Sequence, residues 1–139
     1  MSYQKQVGYI NRKNSFTPKK PVKSFLDLEV YQRALAICVA VVKKVENQQE
    51  LHDYVIAIPK LIATAHSLRF SDQEKALAVL EESMLNCNLA VVLLEQYRDI
   101  YNNGIDIEFF EEQVKGLLAL RMKIMRLQIS WKKFWGDQK

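Results

Sequence analysis

Apolar residues recur at three- and four-residue steps through most of the chain, which is the spacing of one face of an α-helix. The first series predicts a helix that begins near Ser24, where Ser24 and Asp27 form a candidate capping box, and ends at the polar run 46–49. Its apolar face consists of Leu28, Tyr31, Leu35, Cys38, Val42 and Val45. A second helix is predicted over residues 50–68, with a kink or a break at Pro59 because proline removes a backbone hydrogen bond.

The second half of the chain predicts two longer helices. A candidate capping box at residues 71–74 opens the third helix, which ends at residues 102–104, where Gly104 can adopt a left-handed conformation. Its apolar seam consists of Leu77, Leu80, Met84, Cys87, Val91 and Leu94. Asp106 is placed to cap the fourth helix, which runs to about Trp135. Four helices with short loops predict an all-α domain over residues 24–139, an antiparallel up-down-up-down four-helix bundle.

The fourth helix carries two apolar faces on a helical wheel at 100° per residue. One is an ordinary core stripe of Leu117, Leu120, Ile124, Leu127, Trp131, Phe134 and Trp135, and the other consists of Val114, Leu118, Met122, Met125 and Ile129. The second face either packs on another helix of the same bundle or forms a subunit interface. A further apolar stripe on the third helix (Leu85, Leu89, Val92) favours self-association. The predicted oligomer interface is Leu118, Met122, Met125 and Ile129.

Charge is distributed unevenly along the 139 residues, although the net charge is only +4. Residues 1–26 carry six cations and no acid, residues 27–112 carry an excess of acids, and residues 113–139 carry seven cations against Asp137 alone. Residues 1–23 lack apolar periodicity and contain two prolines, so they are predicted to form a flexible basic arm. The remainder, with ordinary hydrophobic content, suits a single domain.

Groups suited to catalysis or metal binding are few. No strand–turn–helix motif presents a nucleophile, so no catalytic residue is assigned and a non-enzyme is predicted. His52 and His66 match no zinc spacing, and neither follows a glutamate by three residues, so neither a metal nor another cofactor is expected. Cys38 and Cys87 give no disulfide framework, which favours a reducing cytoplasm. The longest uncharged stretch, residues 83–94, is too short for a membrane span, and no membrane association is expected.

Nucleic-acid binding is the function that the charge pattern favours, because cations bind phosphates by releasing condensed counterions and need no structured pocket. The acid-free stretch 113–136 interleaves cations with aromatic residues, although the wheel assigns Trp131 and Trp135 to the core rather than to base stacking. The predicted phosphate-binding residues are Lys115, Arg121, Lys123, Arg126, Lys132 and Lys133 on the fourth helix, and Lys19 and Lys20 on the arm. A plain solvated surface, or one that meets an acidic protein partner, remains open.

Two parts of the chain resemble known four-helix-bundle families. The run Phe25-Leu26-Asp27-Leu28-Glu29-Val30-Tyr31-Gln32-Arg33-Ala34, and Ile58-Pro59 followed by Ile62-Ala63, resemble the proteins encoded in intervening sequences of 23S ribosomal RNA, although Thr64-Ala65 replaces that family's Glu-Gly. The downstream half is similar to the accessory variability determinant of diversity-generating retroelements. That similarity lies in Arg69, Lys75, Leu80-Glu81-Glu82, Tyr97-Arg98-Asp99-Ile100, and Arg126 five residues before Trp131-Lys132. Gln128-Ile129-Ser130 stands where that family often has small glycines.

The resemblance covers residues 25–135. It implies a homopentameric barrel of bundles with a basic surface, which binds a reverse transcriptase and its RNA or DNA and has no active site of its own. The expected function is therefore that of a non-enzymatic accessory protein of a retroelement reverse transcriptase. The alternative is an intervening-sequence-type bundle that serves as a scaffold for an unidentified partner.

Overall fold

The computed structural model describes residues 22–137, which contain four α-helices and no β-strand. The helices are α1, Glu29–Lys44; α2, Gln49–Leu68; α3, Gln73–Ile100; and α4, Ile107–Asp137. A short 3-10 helix, Phe25–Asp27, precedes α1. The all-helical class predicted from the apolar periodicity is confirmed. The predicted basic arm lies outside the described residues, apart from Val22 and Lys23.

Side-chain caps open three of the helical segments. The capping box of Ser24 and Asp27 is present, but it opens the 3-10 helix, and α1 begins only at Glu29. Asp72 caps α3 by accepting a hydrogen bond from the Lys75 amide at 3.1 Å, so the predicted capping box at Ser71 is wrong by one residue. Asp106 accepts from the Phe109 amide at 3.1 Å and caps α4 as predicted. Each of these caps satisfies an amide that has no partner within its helix.

The predicted break in the second helix and the predicted end of the third helix differ from the structure. α2 is continuous through Pro59, whose ring is buried, so a break there is wrong. Packing of α2 against both α1 and α3 offsets the hydrogen bond that the proline removes. α3 ends at Ile100, and Gly104, with a φ of 75°, lies in the following loop rather than at the helix end.

The four helices enclose one core, because α1 packs on α2, α2 on α3, α3 on α4, and α4 on α1. Each helix contributes fully buried aliphatic side chains to it, including Val41, Ile62, Leu94 and Leu120. Burial of each such side chain contributes about 1.5–3 kcal/mol. The predicted seam of α3 is buried from Leu80 to Leu94.

Phe134 is a correction to the predicted core stripe of α4, since its side chain is 51% exposed. It shares a line of α4 with Gly116, which faces Ile37 of α1. However, α1 begins at Glu29, which pairs with Lys123 about three turns before Phe134. No turn of α1 therefore lies opposite Phe134. Of the two tryptophans assigned to the core, Trp135 is buried and Trp131 is half-buried.

By length and composition alone, α3 could cross a membrane, and it is the one such helix among residues 22–137. Half of its most apolar window is buried inside the bundle. A core helix of a soluble protein meets the same criterion, and α3 packs between α2 and α4.

Substitution of two glycines by alanine should change the stability of this fold in opposite directions. A methyl group at Gly116 would lie 3.4 Å from Cδ1 of Ile37, an ordinary contact, whereas Gly104 holds a left-handed φ that other residues rarely adopt. Gly116→Ala should raise the free energy of unfolding by about 0.5–1 kcal/mol, because alanine favours a helix interior. Gly104→Ala should lower it by about 1 kcal/mol. Urea denaturation measures both changes. A loss of stability in Gly116→Ala would contradict the α1–α4 packing, and an unchanged stability in Gly104→Ala would contradict the left-handed conformation of that loop.

Candidate functional site

α3 and α4 carry an exposed apolar surface on the outside of the bundle. The second apolar face of α4 is covered only in part. Val114 and Met125 pack half-buried against the core, whereas Leu118 is 46% exposed, and Met122 and Ile129 are exposed as well. The α3 stripe joins it, because Leu85 and Met125 line one groove between the two helices. We call this surface the lateral face, made of Leu85, Val92, Leu118, Met122, Met125 and Ile129. An exposed apolar surface of this kind is a candidate site for contact with another molecule.

The groove within the lateral face has a volume of about 300 Å³. Gln128 is buried there, and its Nε2 donates to the Leu77 carbonyl oxygen at 3.3 Å and to Oε1 of Glu81 at 3.4 Å. Arg121 lines the same groove, and its one polar contact in the described chain is with Sδ of Met122, at 3.6 Å. The groove therefore places a carboxylate and an unpaired guanidinium beside apolar side chains. The amide of Gln128 joins α4 to α3, a contact that the apolar periodicity does not indicate.

Cations flank the lateral face on both sides. Lys115, Arg126 and Lys133 lie within about 20° of one another around α4 and span roughly 27 Å along it. Arg121 and Lys132 lie on the other side of the apolar residues, again by their helical positions. Lys115, Arg126, Lys132 and Lys133 are exposed, and none forms an ion pair with any residue in 22–137. Their charge is therefore not neutralised within the described chain.

Lys123, in contrast, forms an ion pair with another helix of the bundle. Its Nζ lies 3.5 Å from Oε2 of Glu29, which also accepts a hydrogen bond from Nε of Arg33 at 2.8 Å. Burial raises the pKa of Glu29, but the hydrogen bonds and charges of Arg33 and Lys123 outweigh burial and hold it below its ordinary value. Lys123 thus joins α4 to the start of α1. Lys19 and Lys20, also predicted to bind phosphate, lie outside the described residues.

The burial and contacts of the two histidines and two cysteines are those of structural rather than reactive side chains. His66 is buried, and burial and the charge of Arg69 lower its pKa, so its ring is neutral at pH 7. A ring nitrogen of His52 contacts the Val45 carbonyl oxygen. Burial raises the pKa of Cys87 to about 12 and also raises that of Cys38, so both are thiols at neutral pH. Within residues 22–137, no group of three histidine, cysteine or carboxylate side chains could hold a metal ion.

Comparison with models of known protein families, with curated protein sequences and with solved structures finds no match to this chain.

The Glu29–Lys123 pair predicts a pH dependence of stability. A lowered pKa stabilises the folded protein above the ordinary pKa of glutamate, and this stabilisation is lost as the pH falls through the folded value. Lys123→Gln should raise the pKa of Glu29, so the variant should lose less stability than the original chain between about pH 6 and about pH 3. At pH 7 the variant should be less stable by under about 1 kcal/mol, since the pair is partly exposed.

Urea denaturation at the two pH values measures this difference. Lys133→Gln is the matched control, because it removes a cation of α4 that has no ion pair in the described chain. The same acid-induced loss of stability in both variants would contradict the role of Lys123 in holding α4 to α1.

Proposed function

We propose that this chain is a non-enzymatic accessory protein that self-associates and holds RNA or DNA beside a partner reverse transcriptase. One observation carries the proposal: α4 combines an exposed apolar surface with unpaired cations on either side of it. Apolar surface suits contact with protein, and unpaired cations suit contact with phosphate. The helix could therefore meet both kinds of partner at once.

We also propose the antiparallel up-down-up-down order of the four helices. Lys44 at the end of α1 pairs with Asp106 at the start of α4, at 3.4 Å, whereas Glu29 at the start of α1 pairs with Lys123. The contact of Gln128 with Leu77 supports the same opposed direction for α3 and α4. In this order the two longest helices run side by side, which makes the lateral face continuous.

A second copy of the chain is the proposed occupant of the lateral face. Leu118, Met122 and Ile129 would be removed from water by self-association, which is favourable in proportion to the apolar area buried. Arg121 and Glu81 in the groove offer opposite charges that a second copy can match. The resemblance to retroelement accessory proteins implies five copies. Assembly would also repeat the flanking cations, so one nucleic-acid strand could contact several subunits.

Leu118→Glu tests the proposed interface. The variant should dissociate the oligomer, because a carboxylate in an apolar interface loses its hydration. Val39→Glu on α1 is the matched control, since Val39 is 43% exposed and Leu118 is 46% exposed. Sedimentation velocity should show a monomer for Leu118→Glu and the original oligomer for Val39→Glu, with unchanged helicity in both. A monomeric original chain would contradict the self-association proposal.

The phosphate-binding role of the α4 cations is tested by the salt dependence of affinity. Lys132→Gln and Lys133→Gln should each weaken binding about equally for all sequences, and each should reduce the slope of log affinity against log salt by about 0.7–0.9. Lys43→Gln removes an exposed cation from α1 and should leave the slope unchanged. Fluorescence anisotropy of labelled RNA across a salt series measures these slopes. An unchanged slope in both α4 variants would remove them from the proposed interface.

The reverse transcriptase is proposed from the resemblance of residues 25–135 rather than from a contact in the bundle. Gene context separates the two families that the chain resembles. A neighbouring reverse-transcriptase gene with a variable repeat would support the accessory role. A location inside a 23S ribosomal RNA gene would instead favour the scaffold of the intervening-sequence type.

A further inference from the structure

Two exposed phenylalanines lie at the same end of the bundle, away from the lateral face. Phe70, in the turn between α2 and α3, is 65% exposed, and Phe134 lies in the last turn of α4. His66 precedes Phe70 by four residues and Trp131 precedes Phe134 by three, and the rings of His66 and Trp131 lie 6.4 Å apart. This contact places both phenylalanines at the end where α2 and α4 finish.

Phe70 is paired with a guanidinium that is itself held in place. Cζ of Arg69 lies 4.4 Å from the centroid of the Phe70 ring. Nη1 of Arg69 donates to the His66 carbonyl oxygen at 2.6 Å and lies 3.2 Å from Nδ1 of His66. No carboxylate forms an ion pair with Arg69 in the part of the chain that the structure describes. The result is an ordered aromatic–cation pair whose ring remains largely open to solvent.

Unpaired cations next to Phe134 in sequence suit binding of a polyanion at this end of the bundle. Lys132 and Lys133, the two residues before Phe134, are exposed and have no ion pair among residues 22–137. Of the residues nearby in sequence, three are carboxylates, since Asp72 keeps its charge while it accepts the Lys75 amide. Asp72, Glu74 and Asp137 are outnumbered by the four cations Arg69, Lys75, Lys132 and Lys133. Unpaired cations and open aromatic rings are the two features by which proteins hold single-stranded nucleic acid.

We infer that Phe70, with Arg69 against it, and Phe134 stack on unpaired bases of a single-stranded nucleic acid, while Lys133 contacts its phosphates. The inference rests on the proposed nucleic-acid binding and specifies its form. Bases of a duplex already stack on one another and offer no free face, so this end of the bundle should prefer single strands. Because every base has a π-face, the preference should extend to all sequences.

The test compares four probes on the full chain: a 12-nucleotide oligouridylate, an oligothymidylate of the same length, a 12-base-pair duplex, and an abasic oligomer with the same number of phosphates. Phe70→Ala should weaken binding of both single strands roughly 5- to 150-fold, the range that loss of one base–aromatic stack produces. Its affinity for the duplex and for the abasic oligomer should be unchanged. Phe70→Trp should retain single-strand binding, because it keeps a π-face. Phe134→Ala should show the same pattern as Phe70→Ala.

Tyr101→Ala is the matched control. Tyr101 is 53% exposed and follows α3 at the end remote from Phe70, so its removal should leave all four affinities unchanged. Circular dichroism verifies that each variant remains helical.

Three outcomes overturn the inference. If Phe70→Ala binds single strands as the original chain does, stacking at this end is wrong, while a salt-dependent affinity for the duplex preserves the proposed function. An equal loss for all four probes would mean that Phe70 acts without contacting bases. If the original chain binds none of the probes at about 50 mM salt, the proposed nucleic-acid binding fails together with the inference.

Discussion

Burial of one stripe of α4 is the constraint on which the rest of the surface depends. Leu117, Leu120 and Ile124 are fully buried against the helices on either side. An α-helix has 3.6 residues per turn, so fixing this stripe fixes the direction of every other side chain over 31 residues. Leu118, Met122 and Ile129 must then face outward, with cations on both sides of them. The lateral face is a consequence of core packing on a helix that has more apolar positions than one bundle can cover.

Local features of the sequence predicted the helices because helices depend on local hydrogen bonds and on periodic burial. The α3 seam and the Asp106 cap are both of this kind. The capping errors are local and amount to a few residues at a helix end, whereas two larger errors occur where a distant element decides the outcome. Pro59 stays within a helix because α1 and α3 pack on both sides of α2, and Phe134 is exposed because α1 begins too late to cover it. A helical wheel gives the direction of a side chain but not the presence of a neighbour.

The same distinction separates the two parts of the candidate site. The cations beside the lateral face could be identified from the wheel, since their directions follow from α4 alone. The pairing of Lys123 with Glu29 could not be identified, because the partners lie 94 positions apart and meet only when α1 packs on α4. Phe70 could not be identified from the sequence for a different reason. It lies in the turn between α2 and α3, where helical periodicity does not predict the direction of a side chain. The stacking role proposed for it depends on the position of Arg69 over its ring and on the contact between His66 of α2 and Trp131 of α4.

The lateral face and the end of the bundle that carries Phe70 and Phe134, here called the aromatic end, occupy different parts of the bundle, so both can be engaged at the same time. Contacts along the sides of α3 and α4 leave the turn at Phe70 and the last turn of α4 open to solvent. In a closed symmetric assembly, every copy would present its aromatic end at an equivalent position. A strand long enough to reach two such ends would bind the second one as an intramolecular event, which raises affinity without any new contact. Self-association would thereby convert a weak stacking site on one bundle into a stronger site on the assembly, and the apolar residues that hold the subunits together would also determine how tightly nucleic acid is held.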